Sequence, residues 1–208
     1  MFGMAVTRDD KVNSIVGDSL ANGVAGMNVV DIVILIGWIA FWIYWLAAAG
    51  GVKAGRTRWA RFAGFRVAAF VIIVLLVRSR ALGQVTIDRN PWLQSVGLVV
   101  FLLGLAVAIW ARVYLGGNWG MPMTEKVDPD LITTGPYRRV RHPIYSGIIL
   151  AMIGTTIAVS LYWLIAVVLI GVYFVFSAFS EERFMVTRFP DAYPRYQEST
   201  KMLVPYIF

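Results

Sequence analysis

Residues 92–115 read WLQSVGLVVFLLGLAVAIWARVYL. The run is apolar almost throughout. At ~1.5 Å of rise per residue it reaches roughly 36 Å as a helix, enough to cross a hydrocarbon layer of about 30 Å with some tilt. It therefore reads as a membrane helix, and the same pattern recurs on both sides of it. Upstream lie an apolar run at 29–49, ending at Gly50-Gly51, and another at 65–77, which extends to Leu82 if Arg78 and Arg80 reach out to headgroups. Downstream lie runs at 143–159 and 162–180, joined by a tight connection at Ser160-Leu161.

The bulk composition agrees. Of 208 residues, 59% are hydrophobic and 15% charged, where a soluble domain carries about a quarter charged residues. Cysteine is absent and His142 is the single histidine, which excludes disulfides, thiolate chemistry and multi-histidine metal sites. The net charge of +7 does not indicate nucleic acid. The basic residues lie in loops between apolar runs, and no basic face with interleaved aromatics occurs.

Five spans place the termini on opposite sides. The loops after the first and third spans, and the tail, carry most of the Lys and Arg. The positive-inside rule assigns these to the cytoplasm and the N-terminus to the outside. Trp92 and Trp163 then sit at the outer interface. Residues 1–27 show no charged n-region followed by an apolar run and cleavage site, so no signal peptide is expected.

The cytoplasmic side holds the candidate chemistry. The segment 131–147, LITTGPYRRVRHPIYSG, is a basic loop that enters the fourth span. Gly135-Pro136 forms a turn that presents Tyr137, and glycine there would let another molecule approach the backbone. Pro143 suits the first helical position and puts His142 near the cap, where free N–H groups suit a carboxylate or phosphate. Gly147 and Gly154 are seven apart and so share a face that permits close helix packing. Trp38, Trp42 and Trp45 form an aromatic stripe on the first span, read as packing or lipid contact. Tyr193 and Tyr196 in the tail are expected to fold back onto the loop.

Glu181-Glu182 closes the fifth span. Two acids at the C-terminal end of a membrane helix oppose its macrodipole and cost desolvation, and such violations mark functional sites. A cationic ligand would offset them. The plain alternative is that both face water beside Arg183 or Arg188. The segment 116–120, GGNWG, lacks the lysine of a phosphate-binding loop. It reads either as an interfacial loop or as a lid, with Asn118 as a polar contact and Trp119 as an aromatic wall.

As an ordered set these pieces resemble the isoprenylcysteine carboxyl methyltransferase family of membrane enzymes. The set is LITTGPYRRVRHPIYSG, a helical hairpin, EERF, then FPDAYPRYQESTKMLVPYIF, over residues 112–208. Pro190 stands where that family often has glycine. The resemblance implies S-adenosylmethionine as methyl donor, bound by Leu131, Gly135, Pro136, Tyr137, Arg141, His142, Tyr145, Glu181 and Glu182. Arg183 would orient an anionic acceptor, with Glu182 as the second catalytic candidate and Asn118 and Trp119 toward the acceptor. The acceptor would be a lipid or other lipophilic molecule entering from the bilayer, with the carboxyl of a prenylated cysteine as the namesake; no metal and no nucleic acid are implied. A sterol-type NADPH reductase shares part of the Arg-His-Pro passage, but its usual Asn and Glu are here Ile144 and Ile148. A non-enzymatic membrane scaffold is the third reading.

The expectation is thus an all-α polytopic membrane protein of about five transmembrane helices. It has a surface or flexible segment at 1–27, three spans over 28–115, and a catalytic region over 116–208 made of the hairpin and a cytoplasmic tail.

Overall fold

The computed structural model describes residues 28–48, 55–57, 90–119, 124–126 and 130–208. The expected segment 1–27, the span at 65–77 and most of the loops flanking that span lie outside the described residues. Those described form five α-helices: α1 (Val29–Ala47), α2 (Pro91–Leu115), α3 (Pro143–Ala158), α4 (Trp163–Arg188) and α5 (Ala192–Ser199). By length and composition α1, α2 and α4 can cross a membrane, while α3 is apolar but shorter.

Local chemistry sets the helix starts. Asn28 and Asp31 form a reciprocal capping box at α1: Asp31 N donates to Asn28 Oδ1 at 2.9 Å, and Asn28 N to Asp31 Oδ2 at 3.0 Å. At α2, Asn90 Oδ1 accepts from Trp92 N at 2.9 Å and Pro91 opens the first turn.

The centre of the molecule is the α2–α3 pair. Gly97, Phe101, Gly104 and Ala108 on α2 face Ala158, Gly154, Ala151 and Gly147 on α3. A Cβ on Gly104 would strike the Ala151 backbone, and one on Gly154 the Phe101 backbone nitrogen. The two helices therefore pack backbone to backbone, which small residues permit in a membrane protein. Phe101, Ala108 and Ala151 are fully buried along the seam. Gly154→Val is expected to cost about 3 kcal/mol, because neither backbone can yield. Thermal unfolding in detergent checks it; an unchanged midpoint would mean the seam is loose.

Helix α1 packs on this pair through Trp38, whose Nε1 donates to Thr155 Oγ1 at 3.1 Å and whose ring meets Phe101 edge-on. Trp45 is buried and stacks on Phe41, whereas Trp42 is 53% exposed, so the expected stripe divides between packing and the outer surface.

The described chain is helical, as expected, with one small addition: Gly55–Thr57 (β1) pairs antiparallel with Thr124–Lys126 (β2). The physical reason is that α1 and α2 end together, with Arg112 of α2 bonded to Ala48 O, so the segments leaving them can meet. One expectation needs correction: the last long helix does not stop at Ser180. It runs on to Arg188, because Glu, Arg, Phe and Met sustain a helix until Phe189, whose conformation Pro190 restricts. The Glu pair thus lies inside α4, more than a turn from its end, and the macrodipole conflict read from the sequence largely disappears.

Candidate active site

The N-terminal end of α3, the C-terminal half of α4, and α5 with the tail converge at one end of the bundle. His142 occupies the N-cap position of α3, but its side chain makes no capping bond. It reaches across to α4 instead. Backbone order here comes from the tail. Arg141 N donates to Lys201 O at 2.8 Å, His142 N to Met202 O at 3.0 Å, and Lys201 N to Arg139 O at 3.2 Å. Ser146 Oγ donates to Leu203 O at 2.5 Å. The tail is a strap that takes up the His142 N–H at the start of α3, and the Arg141 N–H just before it.

The buried centre is an ion-pair network around Glu182. Arg141 Nε donates to Glu182 Oε1 at 2.6 Å and Nη2 to Oε2 at 3.4 Å, the two-pronged arrangement that suits a guanidinium. Arg141 Nη1 donates to Thr200 O at 2.7 Å. Gln197 Nε2 adds a bond to Glu182 Oε2 at 2.8 Å. His142 Nε2 lies 3.2 Å from Glu182 Oε1 and Nδ1 lies 3.6 Å from Glu181 Oε2. Either ring nitrogen that carries the proton therefore faces a carboxylate. Glu182 is almost enclosed, with 8% of its side chain exposed, while Glu181 keeps 26%.

Beside the acids three rings lie parallel. His142 and Tyr145 have centroids 5.4 Å apart at 4°, and Tyr145 and Phe174 4.3 Å apart at 6°. Tyr145 OH donates to Glu181 Oε1 at 2.5 Å. Ser177, fully buried one turn before Glu181, has a hydroxyl oxygen with no hydrogen-bond partner among the described residues.

The Gly135-Pro136-Tyr137 turn is short 3-10 helix, Gly135–Arg138. Gly135 has φ +61, and the space its Cβ would take is filled by the Tyr114 ring rather than left open to a ligand. Tyr137 is buried; its OH donates to Ala111 O at 3.3 Å, and its carbonyl accepts from Tyr196 OH at 2.6 Å. Burial pushes the Tyr137 phenol up, Tyr196 and Glu181 add to the rise and Arg112 opposes it. Burial also raises Tyr196 and Tyr193, so all three hydroxyls stay protonated, and those of Tyr137 and Tyr196 donate.

The remaining candidates are spread out. Leu131 is half-buried and Arg183 exposed, one position round the helix from Glu182. Both ends of the Asn118 amide are used: Nδ2 donates to Asp130 Oδ2 at 3.1 Å, and Oδ1 accepts from Asp130 N at 3.0 Å. Trp119 packs edge-on to Trp45 and carries the Arg112 guanidinium 4.7 Å above its ring. Among the described residues no group of three or more His, Asp or Glu side chains is placed to hold a metal ion.

This arrangement coincides with a sequence match. Residues 92–192 match the phospholipid methyltransferase family. That family is one of the isoprenylcysteine carboxyl methyltransferase-like membrane methyltransferases, so the likeness read from the motifs holds. The matched region begins with α2 and ends as α5 starts, and it includes the whole Arg141, His142, Tyr145, Glu181 and Glu182 cluster. Curated relatives are more distant. The chain is 24% identical over 141 residues to a cobalt-zinc-cadmium resistance protein of Cupriavidus metallidurans, covering 65% of this chain and 61% of that protein. It is 24% identical over 133 residues to a nickel-cobalt-cadmium resistance protein of Alcaligenes xylosoxydans xylosoxydans, covering 61% and 56%. The chain thus spans about six tenths of the length of these relatives.

Sequence reasoning missed Phe174, Ser177, Gln197, Thr200 and Arg112. Phe174 could have been found, because it lies seven residues before Glu181 and so on the same face. Arg112 could also have been found, since it is the single charge within 92–115, and an ionisable residue inside a membrane span is a functional candidate by default.

Proposed function

We propose that this methyltransferase-family membrane protein uses S-adenosylmethionine to methylate a lipophilic acceptor, the carboxyl of a prenylated cysteine or an analogue being the model. The carrying observation is the cluster in which His142 stands between the carboxylates of Glu181 and Glu182, with Tyr145 and Phe174 stacked against it. The donor's chemistry fits these residues. Its sulfonium and ammonium are cations, and the cluster offers a partly exposed carboxylate and aromatic faces. Ser177 adds a buried hydroxyl oxygen still able to accept.

When bound, the donor would supply an electrophilic methyl group. The protein's own part is positioning and exclusion of water. In this reading Arg141 and Gln197 hold Glu182, Glu182 and Tyr145 hold the His142 ring, and Glu181 turns its exposed edge to the ligand. Tyr137, fixed by Tyr196 and the α2 carbonyl, walls the pocket, with Leu131 at its rim and Gly135 and Pro136 shaping the turn. Arg183, exposed on the adjoining face, remains the candidate for orienting an anionic acceptor, and Trp119 an aromatic wall for it. A carboxylate acceptor is already ionised and needs no general base.

The five-span topology, with an outer N-terminus and a cytoplasmic site, belongs to the same proposal. Its support is that α1 ends at the site end of the bundle, bonded through Ala48 O to Arg112, whereas α2 starts at the opposite end, where Gly97 packs on Ala158. A crossing between them fits the apolar run at 65–77. Neither a reductase nor a scaffold is favoured by the family match.

Calorimetry on detergent-purified protein tests the reading. S-adenosylhomocysteine is expected to bind at micromolar or tighter affinity, about −8 kcal/mol, and NADPH not to bind. Binding of NADPH alone would overturn it.

A further inference from the structure

We infer that Arg112 is the anion-holding end of the acceptor site, taking a carboxylate or phosphate group borne on an apolar chain. Arg112 lies inside the α2 span and is only 5% exposed. Its Nη1 donates to Gly116 O at 2.8 Å and its Nη2 to Ala48 O at 2.7 Å. Those bonds close the C-terminal ends of α2 and α1, whose partial negative charge accounts for a cation there. They leave the Nε hydrogen unused. Among the described residues the buried Nε has no acceptor, and no carboxylate pairs with this guanidinium. A buried donor without a partner is costly, and an oxyanion is the group whose geometry suits the guanidinium fork.

The surroundings suit such a ligand. The guanidinium lies over Trp119, whose partly exposed ring is backed by the buried Trp45 and offers apolar contact to a chain. A Cβ on Gly116 would meet none of the described residues within 4 Å, which leaves room beside the helix end. Tyr137 bonds to the carbonyl of Ala111, the residue before Arg112, and is within electrostatic reach of both Arg112 and Glu181. The anion site and the acid cluster therefore share one wall. The word acceptor rests on the methyltransferase reading; the anion site does not.

The test uses full-length protein in neutral detergent, with calorimetric titration of dodecyl phosphate, dodecanoate, dodecanol and inorganic phosphate. The alkyl anions are expected to bind at least about tenfold more tightly than dodecanol or inorganic phosphate. Arg112→Gln is expected to remove at least about tenfold of that affinity. Arg112→Lys, which keeps a charge at the helix ends but lacks the fork, is expected to lose about fivefold and serves if the Gln variant does not fold. Unchanged alkyl-anion affinity in a folded variant would overturn the site. Equal binding of inorganic phosphate would overturn its assignment to a lipophilic ligand. S-adenosylhomocysteine is titrated into the same samples. Loss of that binding alone removes the methyltransferase reading and leaves the anion site standing; the reverse pattern removes the anion site alone.

Discussion

Arg141→Ala is expected to destabilise the protein by about 3–5 kcal/mol, because it leaves Glu182 buried without its guanidinium partner. The loss exceeds one ion pair. Arg141 also holds Thr200 O, so its removal frees the strap from the start of α3. The companion variant separates charge from packing. Replacing both residues, Arg141→Leu with Glu182→Met, removes the stranded charge and should recover part of the stability, since an apolar pair often equals or exceeds a buried ion pair. The double variant should still fail to bind S-adenosylhomocysteine, because His142 loses the carboxylate that fixes its ring. Thermal unfolding of the wild type, both single variants and the double variant gives the coupling directly. A single-variant loss below about 1 kcal/mol would mean that the pair behaves as a solvated surface contact.

What could be read in advance depended on whether the cause was local. Apolar length announced α1, α2 and α4. The seven-residue spacing of Gly147 and Gly154 announced a close-packed face, and Gly97 and Gly104 carry the same spacing on the partner helix. The turn at Gly135 was legible as a turn, yet not as a socket for Tyr114, because that contact joins two separate segments. The same limit hid the strap. Nothing near Lys201 or Met202 indicates that their carbonyls will take the N–H groups of Arg141 and His142.

The Glu pair shows the limit most clearly. From the sequence both acids looked alike, placed against the dipole and awaiting a cation. In the folded chain α4 continues beyond them, and adjacent positions 100° apart on a helix meet different surroundings. Glu182 faces Arg141, His142 and Gln197, and Glu181 faces Tyr145 and the edge of the ring stack. Identical residue types thereby acquire separate tasks, one holding the site together and the other meeting the ligand.

That division sets the second large effect. Glu181→Gln is expected to weaken S-adenosylhomocysteine and sinefungin binding by at least about tenfold, with sinefungin, whose amine replaces the sulfonium, losing more. Stability should fall by less than about 1 kcal/mol, because the amide oxygen can still accept from Tyr145 OH and the side chain is partly in water. Glu182→Gln should do the opposite in its main effect. It removes the charge that Arg141 faces in a nearly closed site, so the midpoint of unfolding falls first and donor affinity falls with it. The discriminating quantity is the ratio of affinity loss to stability loss. It should be large for Glu181 and small for Glu182. Equal ratios would mean that the two carboxylates act as one unit, and a larger ratio for Glu182 would return the ligand contact to the buried acid. A charge on the ligand, rather than its shape, is the cause asserted, so a neutral thioether analogue should lose less affinity in Glu181→Gln than the amine-bearing one does.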